Sequence, residues 1–247
     1  MLSFLKNHPF AVEAFFSSTI VLTYAIPAQQ LAALLPQCLE LDTWDGKWGF
    51  VAVAVVAAQD LRPKGFPKFM GNDFVLVGYR IFVRYTDSRG KRLRGLYIVQ
   101  SETNKHKMAL LGNLFTHYNY TTTDISLNTE GSLITIQSAK SALCVVADTS
   151  NEQASLPTDS PFPSWKEARR FTGPMPFTFG YNQTTHKVLI VEGVREEWTP
   201  RPISILKADV GFINKMQLHG AVLANAFMIT DVPYHWKKGR TELWQKT

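Results

Sequence analysis

The sequence predicts an α+β fold built on antiparallel sheet, and three observations carry that reading. Many short segments alternate or run apolar as strands do, with Gly, Pro, Asn and Asp between them. Only two or three stretches show helical spacing. Of 247 residues, 45% are hydrophobic and 19% charged, enough for a substantial core and too apolar for disorder. Residues 1–247 read as a single domain, long but within the range of one large β-rich unit.

The elements follow in order. "STIVLTYA", residues 18–25, reads as a strand. "PAQQLAALLP" reads as a helix: Pro27 stands at its start, Leu31, Leu34 and Leu35 form its stripe, and Pro36 stops it. "LELDTWDGKWGFVAVAVVAA" reads as a hairpin turned at Asp45-Gly46, leading into a buried Ala/Val strand. Residues 61–73, "LRPKGFPKFMGND", form a loop, and two long strands surround the Ser-Arg-Gly turn at 88–90. "TNKHKMALLGNLF" is the strongest helix, with Thr103 or Asn104 as cap and Met108, Leu111 and Phe115 on one face. "YNYTTTDISLN", "SLITIQSA" and "ALCVVADT" read as strands. "SWKEARRF" reads as a short helix with Ser164 as cap and Glu167 at its third position. "HKVLIVEGVREEW" and "AFMITDVPYHW" supply late strands.

Composition narrows the partners. Net charge is +6, with a basic cluster at Arg84, Arg89, Lys91, Arg92 and Arg94. A nucleic-acid site would want basic residues on one face with aromatics between them; the cluster reads instead as a solvated hairpin tip, and no nucleic-acid partner is expected. Cys38 and Cys144 sit in apolar surroundings and read as reduced, unpaired thiols of a cytoplasmic protein. The N-terminus carries Glu13 within its apolar part and does not read as a signal peptide. No uncharged apolar run reaches the ~18 residues of a membrane span, so no membrane association is expected.

The usual chemical motifs are absent. There is no His-x-x-x-His, no Cys-x-x-Cys, no phosphate-binding glycine loop and no Gly-x-Ser-x-Gly elbow. No metal and no cofactor is expected. Glu196-Glu197 beside Arg195 reads as an exposed strand end. Three features remain. In "FVLVGYRIFV" Tyr79 and Arg80 must face opposite sides of a strand. A buried Arg80 keeps its charge and so needs an acidic partner or an anionic ligand. In "LGNLFTHYNY" Asn113, His117, Tyr118 and Tyr120 bring donors and acceptors to a helix-to-strand junction, where they either wall a pocket or simply end a packed helix. Lys105 and Lys107 start that helix, where lysines are ordinarily solvated.

"PAQQLAALLPQCLELDTWDGKWGFVAVAV" resembles the opening of acetoacetate decarboxylase-like proteins. "FVLVGYRIFVRY", "SETNKHKMALLGNLFTHYNY" and "LANAFMITDVPYHW" resemble the YqjF-like family of unknown function within that superfamily, over roughly residues 15–238. The resemblance implies an antiparallel β-barrel-like core with a few helices and an internal pocket. The superfamily's assemblies add a homo-oligomer to the expectations. In the decarboxylases a helix end containing Gly is followed by an aromatic-Pro pair and two adjacent lysines; the first forms a Schiff base and the second depresses its pKa. Here Gly112 matches the Gly, Tyr118 the aromatic and Asn119 the Pro. Tyr120 and Thr121 fall where the lysines would be, and neither can form an imine. The decarboxylases' Arg falls near Ser17 and their two Glu near Gly49 and Gly78 to Arg80. The resemblance therefore implies a kept scaffold without the decarboxylase apparatus.

The functional expectation is a pocket for an anionic or carbonyl-containing metabolite. Its ligand-binding residues are Arg80, Asn113, His117, Tyr118 and Tyr120, and its acid–base candidates are His117 and Tyr120. Two alternatives stand beside it: a non-catalytic structural or sensor protein with an occluded pocket, and a divergent lysine-dependent enzyme using Lys105 or Lys107.

Overall fold

The structure, a computed structural model, describes residues 5–245 except 152, 174 and 197. In chain order its strands are β1 (Val12–Pro27), β2 (Glu40–Leu41), β3 (Trp48–Pro63), β4 (Asn72–Thr86), β5 (Arg92–Thr103), β6 (Tyr120–Thr122), β7 (Ser126–Glu130), β8 (Leu133–Ser138), β9 (Leu143–Asp148), β10 (Phe177–Asn182), β11 (Lys187–Arg195), β12 (Arg201–Pro202), β13 (Ser204–Val210), β14 (Val222–Trp236) and β15 (Arg240–Leu243). The helices are α1 (Ala28–Ala32), α2 (His106–Phe115), α3 (Trp165–Thr172) and α4 (Gly211–Lys215).

The main sheet runs β14-β1-β3-β4-β5-β10-β11, and β11 pairs back onto β14. The sheet thus closes into a barrel-like ring, which removes its free edges. All ring pairings are antiparallel except β5 with β10. A second sheet, β13-β9-β8-β7, lies against the outside of the ring. There Ile134, Ile136 and Val145 pack on Ile20, Leu22, Val53 and Tyr79 in one buried cluster. Each such aliphatic side chain contributes about 1.5–3 kcal/mol when buried. Alternation along a strand then sends the intervening residues to the inside of the ring.

Local chemistry accounts for several elements. Asp45 and Gly46 take φ of 51° and 67°, the left-handed values their turn demands. Ser164 caps α3 by accepting from the Glu167 N–H at 3.3 Å. The α2 start differs from expectation. Lys105 is its cap residue and offers no side-chain cap, because Thr103 still belongs to β5 and Asn104 accepts instead from the Val75 N–H at 3.0 Å. The expected hairpin before β3 also differs: Glu40–Leu41 pairs with β4, and only Trp44 bridges to Trp48 across the tight turn. "YNYTTTDISLN" divides into β6, parallel to β5, and β7 of the second sheet. The 61–73 loop is shorter than expected, since β3 runs to Pro63 and β4 begins at Asn72.

The basic hairpin is solvated only at its tip. Arg89, Lys91 and Arg92 are exposed, whereas Arg84 and Arg94 both reach the buried carboxylate of Asp42, Arg84 at 2.6 Å. A buried carboxylate of this kind requires such partners. Arg94 also lies 4.4 Å over the Phe171 ring, tying the hairpin to α3. Cys38 and Cys144 are free thiols, and burial raises the Cys38 pKa to about 11. No helix among the described residues is long and apolar enough to cross a membrane.

Candidate functional site

The inside of the ring is not filled. It holds a cavity of about 450 Å³ that opens near Met70 and Lys107, both exposed. The space originates in β3. Its inward positions Ala52, Ala54, Val56 and Ala58 are short, whereas its outward positions Val51, Val53 and Val55 fill the core beneath the second sheet. Phe74, Phe82 and Leu96 line the facing strands, Met108, Leu111 and Phe115 line the helical side, and Phe227 and Trp198 complete the apolar wall.

A polar belt crosses this apolar chamber. Arg80 is paired in register with Ala52 on β3 and Ile98 on β5, and lines the cavity. It is enclosed by protein, and the exposure it retains is to the cavity. Its Nε has no hydrogen-bond partner, and among the described residues it forms no ion pair. Burial lowers its pKa, opposed by Tyr234, Tyr120 and Tyr118 nearby. Arg195 joins from β11, opposite Tyr234 of β14, which is its hydrogen-bond partner. Its guanidinium lies 4.5 Å over the Trp198 ring. Among the described residues no Asp or Glu lines the cavity. The belt therefore offers donors and two guanidinium charges with no carboxylate beside them in the cavity wall among the described residues.

Glycines make room for these long side chains. A Cβ on Gly78 would stand 2.8 Å from Arg80 Nε, one on Gly112 would overlap the Tyr120 ring, and one on Gly193 would overlap the Tyr234 hydroxyl. The end of α2 sets the tyrosines. The Asn113 amide clamps the Tyr120 backbone at both its N–H and its carbonyl, 2.8 Å each. Thr116 returns its hydroxyl to the Gly112 carbonyl at 2.7 Å, and Asn119 turns the chain with φ of 51°. Tyr118 and Tyr120 both reach the cavity as a result. Tyr118 shares a hydrogen bond of 2.9 Å with Thr178. Burial raises the Tyr118 pKa to about 12 and pushes Tyr120 higher still.

The structure thus brings Arg80, Tyr118 and Tyr120 together, and Tyr79 faces the opposite side, stacked 4.1 Å from Phe212 with its hydroxyl donating to Glu102. Asn113 and His117 do not line the cavity. Asn113 is exposed and acts on the Tyr120 backbone, while the His117 side chain lies beside Gly180, where a Cβ would stand 3.5 Å from the His117 Cβ, outside the belt. Burial lowers the His117 pKa, reinforced by Lys6. Lys105 and Lys107 are exposed. Arg195 and Tyr234 escaped sequence reasoning. Alternation along "VPYHW" places Val232, Tyr234 and Trp236 on one face and was the signal for Tyr234. Nothing in "VREEW" distinguishes Arg195 from an exposed charged end. No cluster of His, Cys, Asp or Glu able to hold a metal occurs among the described residues.

Comparison with known proteins agrees with this architecture. No curated protein matches the chain. Solved structures do: acetoacetate decarboxylase from Legionella pneumophila (TM-score 0.61, 12% identity, 95% of this chain and 88% of that one), and an acetoacetate decarboxylase-like enzyme from Sphingomonas wittichii (0.60, 11%, 96% and 94%). The enduracididine biosynthesis enzyme MppR, complexed with pyruvate, is similar to the same degree (0.61, 8%, 94% and 90%). At these identities the likeness establishes the fold, an acetoacetate decarboxylase-like one. Residues 14–242 match DUF2071, described as an uncharacterized conserved protein, and the chain belongs to that family.

Proposed function

We propose that the cavity binds a small anionic or carbonyl-containing metabolite through Arg80, without Schiff-base chemistry. The observation that carries this reading is the pair of guanidinium groups, Arg80 and Arg195, in a cavity lined by no carboxylate among the described residues. Arginine keeps its proton even when buried, so an incoming anion supplies the missing counter-charge. Tyr118 and Tyr120, with raised pKa values, act as neutral hydrogen-bond donors to its oxygens. Asn113 serves by holding the Tyr120 backbone. The pyruvate in the MppR structure is a keto acid, the ligand class this belt suits.

Imine formation needs a neutral amine facing the substrate. Tyr120 and Thr121 offer none, and the rim lysine Lys107 is exposed. Calorimetry with butyrate, pyruvate and acetoacetate tests the reading. At least one should bind saturably to the native chain and not to Arg80→Met. Borohydride added with acetoacetate should leave the protein mass unchanged. Absence of binding by all three, or a reduced adduct on a lysine, contradicts it.

A further inference from the structure

The cavity is larger and more apolar than a short keto acid requires. At the roughly 30 Å³ that one water occupies in the liquid, its 450 Å³ is room for on the order of fifteen non-hydrogen atoms. Acetoacetate would fill about half of that. The remaining wall gives a polar ligand little to bind. From Arg80 toward the rim the facing side chains are Val56 and Ala58 on β3, Phe74 on β4 and Met108 on α2, which form a buried apolar cluster of their own. The Arg80 side chain leans back over Gly78, toward this cluster. Gly78 is paired with Ala54, so the guanidinium stands at the inner end of a short-residue track, Ala54, Val56 and Ala58, that runs toward the opening. Arg62, a further cation on the cavity wall, is already neutralised by Glu13 at 2.7 Å.

We propose that the ligand is an amphiphilic carboxylate with its head at Arg80 and an apolar tail, on the order of ten carbons by the volume above, laid along Val56, Ala58, Phe74 and Met108. This rests on the anion-binding reading and adds the chemical class of the ligand. The planar carboxylate can engage the guanidinium through two parallel hydrogen bonds. The tail gains by leaving water, about 0.8 kcal/mol per methylene. That corresponds to roughly fourfold in affinity per added carbon.

The test is calorimetry on the full chain with straight-chain carboxylates from acetate to tetradecanoate, kept below their aggregation thresholds. Affinity should climb about fourfold per carbon until the track is full and then level or fall. Decanol should bind far more weakly than decanoate. Ala58→Leu, which adds bulk beside Phe74, should move the optimum to shorter chains. A flat series in which short acids bind as tightly as long ones, still dependent on Arg80, overturns the amphiphile assignment and leaves the anion-binding reading standing. Equal binding of decanol and decanoate removes the carboxylate from the proposal and overturns it. Absence of binding by every acid of the series overturns the amphiphile assignment, and the anion-binding reading falls with it if pyruvate and acetoacetate also fail to bind.

Discussion

Replacing Arg80 with methionine separates a functional charge from a structural one. The guanidinium is enclosed, its Nε lacks a partner among the described residues, and burial depresses its pKa. A charge held this way costs several kcal/mol before any compensation. Methionine keeps the length of the aliphatic stem and its packing over Gly78 while removing the charge. Apolar replacement of buried ionic groups can gain about 1–4 kcal/mol. The guanidinium keeps some exposure to the cavity, so the lower end of that range, about 1–2 kcal/mol, is the expectation. For a chain of this size each kcal/mol moves Tm by about 2–4 °C, giving a rise of roughly 2–8 °C. Urea denaturation should show a higher midpoint with an unchanged slope. Anion binding should be lost in the same variant. A variant less stable than the native chain by more than about 1 kcal/mol would refute the reasoning, because it would mean that Arg80 holds the fold through a partner within the ring.

Two further substitutions probe the supports of the site. Gly112→Ala should destabilise by about 1–3 kcal/mol in urea, although alanine is the better helix former by about 1 kcal/mol, because the new methyl overlaps the Tyr120 ring; a neutral or stabilising result would show that Tyr120 moves freely. The pKa of His8 is lowered by burial, so the unfolded chain binds more protons at mildly acidic pH, and stability should fall as pH drops from about 6.5 toward the depressed folded pKa. His8→Asn keeps a residue tolerant of the φ of 52° and should flatten that slope in Tm measured from about pH 8 to 5; an unchanged slope assigns it to other groups.

The legible parts of the sequence were those written in local chemistry. Asp45-Gly46, the Ser164 cap and the alternation that turns Arg80 inward all depend on neighbours within a few residues. What escaped depends on distant pairing. Glu40–Leu41 looked like the first arm of a hairpin, but its backbone partners are on β4. Thr103 looked like a helix cap, but β5 extends through it to pair with Leu76. His117 and Asn113 share a short stretch with the cavity tyrosines and were grouped with them on that ground. Helical periodicity instead turns Met108, Leu111 and Phe115 to the cavity and Asn113 away, and beyond the helix the irregular turn through Asn119, at a φ of 51°, brings Tyr118 and Tyr120 to the cavity and leaves His117 beside Gly180. Arg195 needed the closure of β11 on β14, which no local pattern encodes.

The glycine seats bear on whether the cavity is a by-product of loose packing. A glycine inside a strand or helix costs about 0.5–1 kcal/mol relative to alanine, and three stand in the polar belt, each where a Cβ would collide with Arg80, Tyr120 or Tyr234. On β3 the inward Ala52, Ala54 and Ala58 forgo the burial energy that larger side chains would recover from the same space. A ring under pressure for stability alone could fill that space with leucine or isoleucine and dispense with an unpaired guanidinium. The chain instead holds long polar side chains in fitted recesses around the cavity: Gly78 and Gly112 leave room for Arg80 and Tyr120, and the Asn113 amide clamps the Tyr120 backbone. Preorganisation of that kind lowers the ordering cost of binding, and it is the physical reason to read the belt as a site rather than as an imperfection of the core.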